Sequence, residues 1–127
     1  MTPSVEHLIQ QAQIAEREGR RDDARSLFER ALYSLRRGGD GKLASSLLRW
    51  IARTYLTEAN RDAALDCVEA AIAVAELAGD PASIGHALNV QAIVHHQHGE
   101  LDVAETGFMN ARSHAIDAGE TRLAAMT

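Results

Sequence analysis

Apolar residues recur every three or four positions along this chain, and glycines interrupt the pattern at regular points. Near the amino terminus, Leu8, Ala12 and Ala15 have the i, i+4, i+7 spacing of one helix face, and Gly19 interrupts them. The next stripe at helical spacing consists of Ala24, Leu27, Phe28, Ala31, Leu32 and Leu35. Gly38-Gly39 follows this stripe and is typical of a helix end. The pattern therefore predicts two amphipathic helices before residue 40.

The same pattern returns with a period of 40 residues. Gly39-Asp40, Gly79-Asp80 and Gly119-Glu120 share this offset. It also aligns Leu8/Leu48/Leu88, Ala12/Ala52/Ala92, Asp22/Asp62/Asp102, Ala24/Ala64/Ala104, Phe28/Val68/Phe108 and Ala31/Ala71/Ala111. So many matching columns at one offset indicate an internal repeat. The sequence predicts one domain of three units, at about 4–40, 41–80 and 81–119, with 120–127 as the start of a fourth.

Each unit is expected to contain two helices. The predicted helices lie near 4–18, 21–37, 42–58, 61–78, 81–98 and 101–118, and a seventh begins around residue 120, where Leu123 and Ala124 are in register with Leu43 and Ala44. Thr2-Pro3 and Asp80-Pro81 each place a capping side chain before a proline that suits the first helical position.

The repeated alanines have a packing explanation. Where two helices cross closely, a side chain larger than a methyl group would hold their axes apart. A single unit cannot bury both of its faces, whereas stacked units can. We therefore expect an all-α fold, an α-solenoid of antiparallel helix pairs.

These residues resemble the tetratricopeptide repeat family, whose motif pairs a small residue in the first helix with alanine, an aromatic residue and alanine in the second. Ala12, Gly19, Ala24, Phe28 and Ala31 match it in the first unit. The period exceeds the usual 34 residues and the proline after the second helix is missing, so the chain resembles the 40-residue branch of Leu-Gly-Asn repeat proteins and bacterial signalling regulators. A HEAT or armadillo solenoid is the alternative architecture, since its period of about 40–47 residues also fits.

Composition narrows the class of protein. Of 127 residues, 46% are hydrophobic, 24% charged and 4% aromatic, as in a soluble globular domain. The net charge of −5 disfavours nucleic-acid binding and an anionic membrane surface. One cysteine, Cys67, excludes an internal disulfide and is compatible with a reducing compartment. No apolar run has the length of a signal peptide or a membrane span, so we expect a cytoplasmic protein.

The resemblance implies a concave groove lined by the first helix of each unit. By position, the groove would present Gln13, Arg17, Arg49, Trp50, Arg53, His86, Asn89, Val90 and Ile93. Arg49 and Arg53 are one helical turn apart beside Trp50, a combination suited to an acidic or carboxylate-ended peptide. The alternative is structural: Trp50 packs against the adjacent unit, and Arg49 or Arg53 pairs with Glu16. The set does not resemble the dicarboxylate clamp of chaperone-binding family members.

Catalysis, metal binding and cofactor binding have little support in the sequence. No nucleophile-elbow or phosphate-loop motif occurs. The histidines of the third unit lack a helical spacing typical of metal ligands, since only His95 and His98 share a face. The aspartates that begin second helices are explained by capping and by the helix dipole. We therefore expect no enzyme activity, no cofactor and no metal.

Two functions remain open. The first is a protein-protein interaction scaffold that binds a peptide or protein partner in its groove and regulates an output domain outside this chain. The alternative is a homodimerisation module that acts through uncapped helical ends, because a solenoid needs polar caps at both ends. Under either hypothesis the chain is expected to be the amino-terminal piece of a longer protein.

Overall fold

A computed structural model describes residues 3–35 and 39–126 of the chain, with side chains as far as residue 119. Within these ranges the chain forms six α-helices and no strand. The helices are α1 (Val5–Arg17), α2 (Arg21–Leu35), α3 (Gly41–Leu56), α4 (Arg61–Ala78), α5 (Pro81–Gln97) and α6 (Leu101–Met126). The fold is all-α, as expected. The first five helices agree with their predicted bounds to within two residues, except that the predicted end of α2 at residue 37 lies outside the described residues.

The last helix differs from the prediction, because α6 continues through Gly119 to Met126. At the equivalent point of the second unit, Gly79 adopts a left-handed conformation with φ of 64° and ends α4, and Asp80 then caps α5. Gly119 is instead followed by Glu120, which favours a helix interior over an N-cap. The expectation of a separate helix beginning around residue 120 is therefore wrong. The side chains of Leu123 and Ala124 lie outside the described part.

Short polar side chains begin four of the helices. Asp40 accepts hydrogen bonds from the backbone N–H groups of Lys42 and Leu43, at 2.9 and 3.3 Å, and Asp80 accepts one from Ser83 N at 3.2 Å. Asn60 caps α4 in the same way. The cap of α1 is Ser4, which accepts from His7 N at 3.1 Å. Pro3 thus precedes α1 instead of opening it, and Thr2 lies outside the described residues.

Consecutive helices pack against one another, and α3 also packs against α5. The repeat alanines lie at these contacts and are at most 7% exposed: Ala12, Ala52, Ala92, Ala24, Ala64, Ala104, Ala31, Ala71 and Ala111. Gly107 shows how close the helices come, since a Cβ placed there would lie 3.0 Å from the Cβ of Ala92. The alanine columns therefore set the helix separation, as the repeat predicts.

The boundary between the first two units is held by arginines of α2. Arg25 Nε donates to Thr54 Oγ1 at 2.8 Å, and its guanidinium lies 3.8 Å from the centre of the Tyr55 ring. Arg25 also forms an ion pair with Glu58, which Arg21 reaches at 3.3 Å. Because the Arg25 side chain is only 15% exposed, this cluster is better shielded from solvent than a typical surface ion pair.

The boundary between the second and third units repeats this arrangement with different residues. Arg61, one repeat after Arg21, makes two parallel hydrogen bonds to Glu100, from Nε to Oε1 and from Nη2 to Oε2, both at 2.8 Å. His95, one repeat after Tyr55, lies 3.2 Å from the same carboxylate. These hydrogen bonds lower the pKa of Glu100 from 4.5 to about 2, with Arg61 the larger cause. An arginine at the start of a second helix thus pairs with an acid in the next unit at both boundaries.

The turn inside each unit adopts a left-handed conformation at the same repeat position. Gly19 and Gly99 have φ values of 77° and 78°, and the equivalent residue of the second unit, Ala59, has φ of 57°. A side chain in this region is strained by its own carbonyl oxygen, at a cost of about 1–2 kcal/mol. The middle unit therefore carries a backbone strain that glycine avoids in the other two.

We predict that Ala59→Gly stabilises the protein, by about 0.5–1 kcal/mol after allowing for the greater flexibility of glycine in the unfolded chain. Gly19→Ala and Gly99→Ala are the matched controls and should destabilise it. No heavy atom lies within 4 Å of a Cβ built at either glycine, so their effect would come from the backbone alone. Urea unfolding followed by circular dichroism measures all three. A lower free energy of unfolding for Ala59→Gly than for the wild type would contradict the proposed backbone strain at Ala59.

A second prediction concerns acid stability. A carboxylate with a lowered pKa stabilises the folded state above its unfolded pKa, and loses this contribution as the pH falls through its folded pKa. The difference in melting temperature between the wild type and Glu100→Gln should therefore be constant near neutral pH. It should shrink between pH 4.5 and about 2. A difference that does not change across this window would show that the ion pair with Arg61 does not stabilise the fold.

Candidate partner-binding face

The first helices of the three units, α1, α3 and α5, carry the residues that the sequence predicts for a groove. We call the outward side chains among them the first-helix face: Gln13, Arg17, Arg49, Arg53, His86, Asn89 and Ile93. All are exposed except Arg49, which is half-buried. Columns of the repeat place Gln13, Arg53 and Ile93 at equivalent positions on successive helices. The prediction thus identifies surface residues for seven of its nine positions.

Trp50 and Val90 occupy the same position of the repeat, and their side chains point toward the preceding unit. The Trp50 ring packs against Phe28 of the preceding unit, with centroids 5.6 Å apart and planes tilted by 41°. Val90 is 5% exposed and packs with Ala52, Val68 and Ala87 in the core. Val90 is therefore not available to a partner, and its place in the predicted groove is wrong, because this column faces the preceding unit. Trp50 thus packs against the adjacent unit, as the structural alternative to a binding role expects, although part of its side chain remains exposed.

Arg53 pairs with the neighbouring unit, as the structural alternative anticipates. Its Nη2 lies 3.4 Å from Glu16 Oε1, and the two side chains are 48% and 35% exposed. An ion pair with this exposure contributes about 0–1 kcal/mol to stability. Arg53 can consequently exchange Glu16 for the carboxylate of a partner at little cost.

Arg49 has a different environment. Burial and the charge of Arg53 lower the pKa of its guanidinium. In the part of the chain that the structure describes, no carboxylate lies within ion-pair distance of Arg49. A half-buried cation beside a second cation is a setting that an anion would stabilise.

His86 of α5 adds to this positive region. Burial, followed by the charge of Arg49, lowers the pKa of His86, while Asp80 acts in the opposite direction. Asp80 is itself held by Ser83 and lies 3.9 Å from Lys42 Nζ. The carboxylate near His86 is thus already engaged in capping α5. We call the cations Arg49 and Arg53, together with His86 beside them, the cationic cluster.

A cavity of about 330 Å³ lies next to this cluster, between α5 and α6. His86 and Asn89 line it from α5, and Phe108 and Arg112 line it from α6. Arg112 is not among the residues that the sequence predicts for the groove. A signal was present, because Arg112 occupies the column of Leu32 and Ile72, where a charged residue departs from an apolar pattern.

The side chains of this face can form polar contacts with a ligand. The two guanidinium groups can bind carboxylates by charge-assisted hydrogen bonds, and His86 and Asn89 can donate or accept hydrogen bonds. Among the described residues, no group of three or more His, Cys, Asp or Glu side chains could hold a metal ion. Cys67 packs against both core clusters, and burial raises the pKa of its thiol.

The fold and this face define the chain as an all-helical repeat domain with a cationic region on its first helices. Comparison with solved structures finds a similar fold in the crystal structure of BtubC (BKLC) from P. vanneervenii, with a TM-score of 0.75 and 22% sequence identity over 90% of this chain. The match covers 47% of that protein, so this chain spans about half its length. No family profile matches the sequence, and no curated protein is recognisably similar to it. Within the described residues, no helix is long and apolar enough to cross a lipid bilayer.

The environment of Arg49 leads to a stability prediction. Methionine retains much of the unbranched stem of arginine and removes its charge. Arg49→Met should leave the free energy of unfolding unchanged or raise it slightly, because it removes a half-buried cation that faces Arg53. The matched change Arg61→Met should destabilise the protein, because Glu100 loses both hydrogen bonds from the Arg61 guanidinium. Denaturant unfolding of both variants measures these changes. If Arg49→Met lowered the free energy of unfolding by more than about 2 kcal/mol, Arg49 would have an acidic partner within the fold.

Proposed function

We propose that this chain is a non-catalytic interaction scaffold, and that it binds a peptide or protein partner carrying acidic residues on the first-helix face. The observation that carries this proposal is the half-buried guanidinium of Arg49, which has the charged Arg53 beside it and His86 nearby on α5. Such a group gains most from a partner that supplies a carboxylate. The partner would bind across α3 and α5, which pack side by side.

The architecture supports a scaffold of the tetratricopeptide type. The 40-residue columns of buried alanine, the left-handed turn within each unit and the packing of consecutive helices are the features expected of an α-solenoid. The likeness to BtubC supports the helical fold alone. Regulation of an output domain outside this chain, as in bacterial signalling regulators, is part of the proposal and rests on the family resemblance.

Two further elements of the proposal concern setting and partner class. A cytoplasmic location is supported by the single, free Cys67. A protein partner is favoured over nucleic acid, because the cationic cluster is small and the chain as a whole carries a net charge of −5. A phosphate backbone would meet repulsion outside the cluster.

An array of short peptides of varied composition tests the proposal. The labelled wild-type chain should retain peptides enriched in aspartate and glutamate, and raised salt should weaken their binding. Arg49→Glu with Arg53→Glu should lose these peptides by at least about tenfold in affinity, since charge reversal at both sites replaces attraction by repulsion.

The control variant carries Arg20→Glu with Arg30→Glu, which makes the same change in net charge on exposed residues outside α3 and α5. It should bind as the wild type does. Circular dichroism should show equal helicity in all three proteins. Retention of the same acidic peptides by the Arg49/Arg53 variant, or the absence of any acidic preference in the wild type, would refute the proposal.

A further inference from the structure

In this chain the second helix of the third unit leaves exposed a surface that is covered in the first two units. In the first two units the residues Phe28 and Val68 are fully buried, by Trp50 and by the Ala87 and Val90 region of the following first helix. The equivalent residue of the third unit, Phe108, is only partly buried. Around it, three large apolar side chains are more than half exposed: Leu101 at 58%, Met109 at 66% and Ile116 at 51%.

Six residues of α6 form this surface, which we call the α6 stripe: Leu101, Glu105, Phe108, Met109, Arg112 and Ile116. Their spacings of three and four residues place them on one side of the helix. Five of the six line a cavity of about 480 Å³, with His96 at its rim. The stripe is therefore a concave and largely apolar surface, and its two charges have opposite signs.

The arrangement of the stripe is symmetric about a point between Phe108 and Met109. Glu105 and Arg112 stand at equal distances from this point, and so do Leu101 and Ile116. When two copies of such a helix pack antiparallel around a two-fold axis, each residue meets its counterpart across the axis. Glu105 would face Arg112 twice, Leu101 would face Ile116 twice, and Phe108 would face Met109 twice. Every contact in this pairing is complementary.

We propose that the α6 stripe is the interface of a two-fold dimer of this chain, with the two α6 helices antiparallel. The stripe continues the surface that α3 and α5 cover at the internal boundaries, so its shape suits a helix. The charges of Glu105 and Arg112 are complementary to those of a second α6 helix that runs antiparallel to the first. The stripe lies on α6 and not on the first helices, although Phe108 and Arg112 also line the cavity beside the cationic cluster. The inference does not depend on the proposed peptide binding.

The polar surface of α1 argues against a head-to-tail arrangement of two copies of this chain. At the internal boundary, α3 presents Leu47, Trp50 and Ile51 toward the preceding unit. The equivalent positions of α1 are His7, Gln10 and Gln11, all exposed. A polar α1 would leave Phe108 and Leu101 facing polar groups, whereas a second stripe supplies apolar partners. The closed two-fold dimer is thus favoured over an open chain of copies.

The dimer is tested by measuring the mass of the 127-residue chain over a range of concentrations by light scattering. The wild type should approach twice its 13.8 kDa as concentration rises. Glu105→Arg and Arg112→Glu should each weaken dimerisation by about tenfold or more, because each places two like-charged pairs across the axis. Glu76→Arg, on an exposed residue of α4, is the matched control and should dimerise normally.

Mixing the two weakened variants provides the decisive measurement. In a mixed dimer, one copy with Glu105→Arg and one with Arg112→Glu restore both opposite-charge pairs, so an equimolar mixture should dimerise where neither variant does alone. The double variant with both changes should also dimerise by itself. Rescue of this kind cannot arise from misfolded variants, and circular dichroism checks their helicity. A monomeric wild type, growth beyond a dimer, or single variants that dimerise as well as the wild type would overturn the proposal.

Discussion

The close approach of neighbouring helices is the constraint on which this fold depends. A core built around alanine contains little apolar volume per residue, so its stability comes from many short contacts and not from a few large side chains. Among the residues whose side chains are described, Phe28 and Leu47 are the largest that are fully buried, and both lie at the first boundary between units. At Gly85 and Gly107, which lie outside the alanine columns, atoms of the opposite helix lie 3.2 and 3.0 Å from the place that a methyl group would take. Contacts this close leave little freedom to shift one helix along its neighbour.

Much of this arrangement can be predicted from sequence, because alanine columns, glycine turns and capping aspartates act locally. The all-helical fold and the bounds of five helices follow from such signals. The continuation of α6 through Gly119 does not, because glycine permits a helix end without requiring one and the following residue decides. Ala59 shows the reverse case: it is a left-handed residue in the turn after α3, where no propensity scale would select alanine.

The candidate face was predictable in position but not in detail. The position of a residue in the repeat shows that its side chain lies on a first helix. It does not show whether the side chain points outward, as that of Arg49 does in part, or toward the preceding unit, as that of Val90 does. The ion pairs and the cation–π contact at the unit boundaries could not be predicted from the sequence, for a different reason. Arg25 reaches Tyr55 and Glu58 across about thirty positions of sequence, and no spacing of three or four residues along one helix joins them. Electrostatic partners of long side chains become visible only once the helices are placed.

The contact between Trp50 and Phe28 has a consequence for how this protein can be observed. Trp50 is the only tryptophan in the chain, and its ring lies at the boundary between the first and second units. Its emission therefore reports whether that one boundary is closed, while circular dichroism reports helix content in all three units. In a repeat protein, where each unit contacts mainly its neighbours, the two signals need not change together. The native sequence thus carries a built-in optical probe of whether the array unfolds as a single body or unit by unit.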